Sequence, residues 1–523
     1  MTMPMKTIEK KFDDYYWAYA DILRGIGINE STYDQRIMAF MALKLLIDND
    51  KLEFNFEYKN DFGLDDTTFS RYRGKDTKET FLNIINDIEN LGKRENLHYF
   101  YQDSKYNPDT SKNILTYLNH YRTFELERYI KELPNEYLEN VLDIYTYKAD
   151  FSDYPKEEYK DLYEKTVSRM KSLSGDLTGQ HFTQKSIIHL MCEMGISGVE
   201  ESETLAIYDP TSGTGSMLME SADYLMNHKR TKVKTIKLYG QEMHGQTWLL
   251  SKIFLEITNQ ENIIAYGNTL TNPAFADGIH GDNSFDFIIA NPPFGVDWKH
   301  NYDEIVANMQ SPKSNFFVVR DEKGKVVTPK KSDGQFLFMM HIINIMKKGN
   351  NNGKHATAGI ISSSTLISTG SERSSEAKIR KAIFGEQLVS AVLEQPNAMF
   401  TNTDITSHIW FLDTKASPKI KIVKADTKEE RLFVTHPNAK DKMKHAYSYK
   451  NIETLKRYLT NKTDKKYISK SLEFDRCEIN ISNEIGFRDD MEDLSIDALE
   501  KELDALMKEM CDEYQANGLF GLI

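Results

Sequence analysis

Apolar positions along the chain follow two rhythms. Short runs rich in β-branched and aromatic residues stand at 204–208, 236–240 and 285–290, glycine-rich or polar stretches bound them, and a short segment follows the second at 263–270. Runs of this kind read as buried strands of a parallel sheet. Between them, 217–226 and 246–258 carry helical spacing. The alternation continues with a helix at 336–347, a strand at 358–361, a helix at 376–384 and a strand pair at 388–393 and 408–412. Strands alternating with helices predict βαβ units and an α/β fold. Gly349 to Gly353 reads as a helix stop. The first 165 residues lack this alternation. Ile37, Phe40, Met41, Lys44 and Leu45 form a helical stripe there, as do Phe81, Ile84, Ile85 and Ile88. Tyrosines cluster in the same part, at Tyr99 to Tyr106, Tyr137, Tyr145 and Tyr147, and suit either core or surface. Near the end, Ile496, Leu499, Leu503, Leu506 and Met510 make a heptad seam. Such a helix packs either on its own protein or against another chain. The pattern predicts a helical N-terminal domain over 1–165, an α/β domain over 166–415, and a C-terminal region over 416–523 that ends in the heptad helix.

The run 285–290 leads into Asn291-Pro292-Pro293-Phe294. Neither proline can donate to a sheet ladder, so the strand ends abruptly. An amide and an aromatic ring are then held at a strand's carboxyl end, where open α/β sheets place ligands. The chemistry this suits is methylation of an exocyclic amine. Adenine N6 is a poor nucleophile, because its lone pair is delocalised into the ring. The Asn291 side-chain oxygen and the Pro292 carbonyl can accept both N6 hydrogens, and Phe294 can stack on a base taken out of its helix. An ordinary Pro-Pro turn is the competing explanation of these four residues.

Upstream, the run 204–208 opens into Asp209-Pro210-Thr211-Ser212-Gly213-Thr214-Gly215-Ser216, ahead of the helical stretch 217–226. Glycines let such a turn approach a ligand closely. No Gly-Lys-Ser/Thr follows, so this is no P-loop, and the third glycine of G-x-G-x-x-G is missing. An acid at the strand end suits an ammonium group rather than a pyrophosphate, and S-adenosylmethionine (AdoMet) carries one. The next strand ends in Gln241-Glu242, where a ribose finds its hydroxyl acceptor. Asn268, after Gly267, is placed to read a cofactor's adenine. Taken singly, Glu242 also fits a surface carboxylate and Asn268 a turn residue. Their order between the two stronger motifs favours cofactor roles.

Asp209 to Ser216, Glu242, Asn268 and Asn291 to Phe294, in that order, resemble AdoMet-dependent N6-adenine DNA methyltransferases whose cofactor motif comes first. More closely, the chain resembles the modification subunit of type I restriction–modification systems. Gly179-Gln180-His181-Phe182-Thr183 resembles the segment before the sheet that closes over the methionine end of AdoMet, and Gln184 and Lys185 continue it. The stretch 358–412, with Lys378-Ile379-Arg380-Lys381 and Ala398-Met399-Phe400-Thr401-Asn402-Thr403, resembles the downstream half. Trp17 to Arg24 resembles the start of the helical N-terminal domain. The likeness is weakest over 50–150 and 415–490. His181 stands where the family usually has an aromatic, Gln184 where it has Pro, Asn268 where it has Asp, and Ser362-Ser363-Ser364 replaces a Pro-containing turn.

The resemblance implies a Rossmann-like methyltransferase sheet, preceded by a helical domain and followed by a C-terminal helix. It implies methyl transfer from AdoMet to adenine N6 in double-stranded DNA after base flipping. Asn291, Pro292, Pro293 and Phe294 would be catalytic. Gln180, His181, Phe182, Thr183, Gln184, Lys185, Asp209, Ser212, Gly213, Thr214, Gly215, Ser216, Glu242, Asn268, Leu270 and Asn291 would contact the cofactor. Implied partners are a specificity subunit, a second copy of the chain and a restriction subunit. Protein-glutamine and RNA methyltransferases share Asn-Pro-Pro-aromatic and remain alternatives, as does a non-catalytic AdoMet-binding scaffold on DNA.

Charge modifies this picture. The 523 residues carry a net charge of −13, whereas a protein that grips DNA alone usually shows a basic footprint. Either basic residues cluster locally or a partner supplies the contact. Two runs qualify: Lys229-Arg230-Thr231-Lys232-Val233-Lys234, and 313–331 with Lys313, Arg320, Lys323, Lys325, Lys330 and Lys331. A charge run is more often only a solvated face. No base-reading motif stands between Leu412 and the terminal helix, so sequence specificity is expected in trans. No apolar run reaches membrane length, and the start reads as no signal peptide. Cys192, Cys477 and Cys511 lack metal spacing. A cytoplasmic protein with no bound metal is expected.

Overall fold

The computed structural model describes residues 6–33, 126–147 and 183–485, apart from short gaps, and a few positions between 36 and 82. The heptad positions, Gln180, His181, Phe182, Cys477, Cys511 and most of the N-terminal stripe and tyrosine positions lie outside the described residues.

The strands are β1 (Thr204–Asp209), β2 (Thr235–Glu242), β3 (Glu261–Tyr266), β4 (Phe287–Ala290), β5 (Thr357–Ser363), β6 (Val389–Glu394), β7 (Ser407–Asp413), β8 (Ile420–Lys424), β9 (Val434–Thr435), β10 (His445–Ala446) and β11 (Ser469–Leu472). Nine of them form one sheet in the order β11-β8-β6-β7-β5-β4-β1-β2-β3, and β9 and β10 pair as a small ribbon. The five strands from β3 to β5 are mutually parallel. β7 inserts antiparallel between β5 and β6, β8 runs parallel to β6, and β11 closes the edge antiparallel.

Alternation within the strands explains the layering. Leu205 and Ile207 of β1, with Phe287 and Ile289 of β4, face one core, shared with the helices Lys185–Gly195 and Ser216–Met226. Tyr208, Ile288 and Ala290 face the other, against Leu337, Met340 and Ile343 of the helix Gln335–Asn351. Both faces are covered, which is why these strands read as unbroken apolar runs. The helix Gly245–Ile257 carries the chain from β2 to β3.

From β1 the chain builds β2 and β3 on one side, then crosses to build β4 and β5 on the other. Strand order therefore reverses between β1 and β4. The carboxyl ends of strands at such a switch point frame a crevice.

In the N-terminal part, the helix Lys6–Gly25 packs on the helix Asn135–Tyr147. Tyr15, Tyr19 and Leu23 are fully buried, and Tyr15 Oη donates to the Ile37 carbonyl at 2.9 Å. Trp17, on the same helix, is half exposed.

The sheet runs on past the expected domain boundary at 415. β8 and β11 extend it, and the helices Tyr449–Thr460 and Ile481–Ile485 pack on it. β8 is five residues long and contains two lysines, so it does not read as core. Lys421 is nonetheless buried, its charge met by Asp464 at 2.8 Å.

Candidate active site

A cavity of about 370 Å³ opens at the switch point. The turn after β1 walls it with Asp209, Pro210, Thr211, Ser212, Gly213, Thr214 and Ser216. The end of β2 adds Gln241, Glu242, Met243 and His244, and the turn after β3 adds Gly267, Asn268 and Thr269. Asn291, Pro293 and Phe294 come from the end of β4. Thr183, Met217, Val296 and Phe338 complete the wall.

The glycine turn is shaped by its neighbours. Gly213 and Gly215 take left-handed φ values of +53° and +81°. A Cβ on Gly215 would lie 2.5 Å from Ser251 Oγ, so glycine lets the helix Ser216–Met226 begin tight against Gly245–Ile257. The end of β2 is stitched to this turn. Ser212 N donates to the Gln241 carbonyl at 3.0 Å, and Gly213 N donates to Glu242 Oε2 at 3.0 Å. His244 N donates to Glu242 Oε1 at 2.7 Å.

Glu242 is therefore no surface carboxylate: it is 5% exposed. Burial raises its pKa, and the backbone donors of His244 and Gly213 work against that rise. Asp209 is 1% exposed. Its Oδ1 accepts from Thr211 N at 2.8 Å and Thr211 Oγ1 at 3.2 Å. Burial pushes its carboxyl up to about 7; the Thr211 donors oppose this and the Glu242 charge adds to it. Asp209 Oδ2 and Ser212 Oγ are buried with no hydrogen-bond partner among the described residues. Buried polar atoms are normally satisfied by protein, water or ligand. Two desolvated carboxylates side by side, with no described lysine or arginine against them, suit a cationic ligand.

Asn291 sits across the cavity. Its Nδ2 donates to Thr183 Oγ1 at 3.0 Å, and Thr183 Oγ1 donates to Met217 Sδ at 3.3 Å. Asn268 Oδ1 accepts from Leu270 N at 2.9 Å, and Thr269 Oγ1 donates to the Pro210 carbonyl at 2.6 Å. The Thr269 bond ties the turns after β1 and β3 together.

Several expected cofactor contacts stand away from the cavity. Gln184 Nε2 instead donates to the carbonyls of Met399 at 2.6 Å and His445 at 2.8 Å, tethering the start of its helix to later chain. Lys185 Nζ lies 4.0 Å from Glu220 Oε2. The Leu270 side chain is buried in the core. Gly215 lies beneath the wall, and Pro292, expected in catalysis rather than as a cofactor contact, is buried beside it. Other wall residues went unforeseen. Met243 and His244 directly follow Glu242, so the acid at the strand end was their only available signal. Gln241 holds the loop after β3, donating to the Asn272 carbonyl and accepting from Ala274 N, both at 2.9 Å. Phe338 arrives on a helix far along the chain, and nothing local marks it.

Among the described residues no group of His, Cys, Asp and Glu is arranged to hold a metal ion. No described helix is long and apolar enough to cross a membrane. Cys192 is buried.

A family model for N-6 DNA methylases matches residues 155–484. The chain belongs to the N-6 DNA methylase family. It is similar to the methylase subunit of the type I restriction enzyme HindI from Haemophilus influenzae, with 29% identity over 271 residues, covering 51% of this chain and 54% of that subunit. The MpnII methylase subunit from Mycoplasma pneumoniae is 23% identical over 376 residues, covering 69% of this chain and 63% of that one. The chain thus spans somewhat over half the length of these relatives. Among solved structures, the type I methyltransferase subunit from Streptococcus thermophilus overlays with a TM-score of 0.59 at 16% identity, covering 90% of this chain and 96% of that one. A modification subunit of a putative type I restriction enzyme from Vibrio vulnificus gives 0.56 at 15% identity, covering 90% and 94%. At such identities the likeness is one of fold, and it places this N-6 DNA methylase on the same α/β scaffold.

Proposed function

We propose that the chain is the modification subunit of a type I restriction–modification complex and transfers a methyl group from AdoMet to adenine N6 in double-stranded DNA. One observation carries this reading: the glycine turn after β1 and the Asn-Pro-Pro-Phe turn after β4 wall a single cavity at the switch point.

The residues present fit AdoMet. When bound, it supplies a methyl group on a positively charged sulfur, open to displacement. Asp209, buried with one oxygen lacking a partner, would hold the ammonium. Each Glu242 oxygen already accepts one backbone N–H. A carboxylate has about four lone-pair sites, so Glu242 keeps acceptor capacity for the ribose hydroxyls. Asn268 lies on the same wall and would meet the adenine of the cofactor.

Asn291 and the Pro292 carbonyl would accept the hydrogens of the target N6, and Phe294 would stack on the flipped base. Catalysis would rest on positioning and on hydrogen bonds to the amine. A specificity subunit would read the DNA sequence, and a second copy of the chain and a restriction subunit would complete the assembly.

The test is to co-express the chain with the specificity subunit encoded beside it and map N6-methyladenine by long-read sequencing. Asn291→Ala should fold, bind AdoMet and lose transfer by roughly 10²- to 10³-fold, the scale of removing one such hydrogen-bonding group. Wild-type rates in that variant would sink the reading. So would labelled methyl appearing in protein or RNA instead of DNA.

A further inference from the structure

We propose that residues 311–331 form a finger that grips the phosphate backbone of the DNA duplex whose base enters the cavity. The proposal rests on the function proposed above and names how its substrate is held.

The first observation is uncompensated charge. Lys313, Arg320, Lys323, Lys325, Lys330 and Lys331 stand here against Asp321 and Glu322, in a chain of net charge −13. All six cations are exposed. Among the described residues, no carboxylate forms an ion pair with any of them. The other basic run differs: Arg230 pairs with buried Glu193, and Lys234 pairs with Glu203 at 2.7 Å. The finger also carries none of the described large hydrophobics that are exposed. A polyanion fits such a surface, and an apolar partner does not.

The second observation is a built shape. Asp321 N donates to the Lys325 carbonyl, and Val327 N donates to the Val319 carbonyl, both at 2.9 Å. Gly324 turns the tip with φ +76°. Asp321 Oδ1 accepts from Lys323 N and Lys325 N, both at 2.9 Å, so this acid serves the backbone, and Glu322 is the other acid of the turn. Lys323 and Lys325 are left exposed on a hairpin of fixed form, and exposed Arg320 braces it by donating from Nη1 to the Gly324 carbonyl at 3.1 Å.

The third observation is the root. Trp298 N donates to the Lys331 carbonyl and Trp298 Nε1 to the Lys330 carbonyl, both at 2.8 Å. Gly334 N donates to the Val296 carbonyl at 2.9 Å. Trp298 stacks on Tyr302, and Lys331 Nζ lies 3.4 Å from the centre of the Tyr302 ring. Val296 before the finger and Phe338 after it both line the cavity. The finger is thus fastened to the chain that leaves Asn291 to Phe294. Phosphate contacts there would fix the position of a duplex relative to the cavity.

The test uses Lys323→Gln, Lys325→Gln and Lys330→Gln together, which spare every backbone bond named above. Affinity of the full chain for a short fluorescent duplex is measured over a salt series, with AdoMet affinity measured by calorimetry alongside. Each phosphate contact contributes about 0.9 to the slope of log affinity against log salt. The triple variant should lose nearly three units of slope and at least about tenfold in affinity at moderate salt, with AdoMet binding unchanged. Lys234→Gln, whose charge Glu203 already meets, should keep the wild-type slope. An unchanged slope in the triple variant overturns the proposal. So does loss of a co-purifying protein subunit with DNA binding intact, which would make the finger's partner a protein. Methyl transfer is scored separately. A finger-dependent slope without transfer to DNA keeps the finger and removes the methyltransferase reading, and transfer with an unchanged slope does the reverse.

Discussion

Asp209 is the residue on which the proposed preference of the cavity for a cation turns. Burial, with the Glu242 charge, holds its carboxyl near 7 in the absence of a ligand. A cation placed against it favours the ionised form, so binding below that pH must release a proton. Affinity for AdoMet should therefore rise with pH up to about 7 and rise less steeply beyond. Stability of the free protein runs the other way. The folded value lies above the ordinary 3.8, so this group's contribution is complete below that pH and is lost as pH rises through about 7. Calorimetry at several pH values, compared with Asp209→Asn, isolates the effect: the variant should bind more weakly and lose the dependence. Identical pH profiles would remove Asp209 as the partner of the cation. Thr183 is the second case. Its hydroxyl accepts from Asn291 Nδ2, which favours one orientation of the amide. Thr183→Val keeps the shape and removes the acceptor, and a hydrogen bond of this kind contributes about 0.5–1.5 kcal/mol. The single-turnover methylation rate should fall a few-fold to about tenfold, and Thr183→Ser should restore it. Failure of the serine variant to restore the rate would assign Thr183 to packing.

Elements differ in how plainly the chain announces them. β1, β2, β4 and β5 are buried on both faces, so their apolar runs stand out, and Asp209 to Ser216 and Asn291 to Phe294 lie where those runs stop. The site was legible because its chemistry sits at strand ends. The edge of the sheet was not. β8 and β11 are short and carry lysines whose charges are met by distant carboxylates, a pairing that no local pattern displays. Glu193 is the sharpest example. On the helix Lys185–Gly195 it reads as a solvent-facing charge, yet it is fully buried. It accepts from Lys456 at 2.6 Å and Tyr224 at 2.7 Å, lies 2.7 Å from His228 Nε2, and pairs with Arg230. It thereby joins that helix to Tyr449–Thr460, across the expected boundary at 415. Burial alone would raise its carboxyl, but Lys456, Tyr224 and Arg230 bring it down to about 2. Stabilisation from this group is present above its ordinary 4.5 and is lost as pH falls through about 2. Glu193→Ala should cost about 3 kcal/mol, the lower end for breaking a buried ion pair, since Arg230 keeps access to water. A urea midpoint equal to wild type would show that the knot holds nothing together.

At the scale of the molecule, the described body closes with the helix Ile481–Ile485, and the family match closes at 484. The nine-stranded sheet and the described wall of the cavity lie within it. The heptad seam from Ile496 to Met510 comes next in sequence, outside the described residues. Under the proposal above, a chain of net charge −13 that grips DNA by this finger would hold it weakly alone, and partner binding would supply the rest. The seam is the segment whose pattern suits that task. Five apolar side chains at heptad spacing could each gain about 1.5–3 kcal/mol on burial, and a lone helix of this length is marginal in water. Removing residues from Ser495 onward should leave a soluble chain that binds AdoMet as wild type does and no longer co-purifies with its specificity subunit or methylates DNA. Leu503→Asp with Leu506→Asp should reproduce the loss by placing two charges in the seam. Aggregation or a lower melting temperature of the truncated chain would mean that the helix packs on its own body. Retained partner binding would mean that the specificity subunit docks elsewhere, with the β11 edge of the sheet and the N-terminal helices as the next surfaces to truncate or charge.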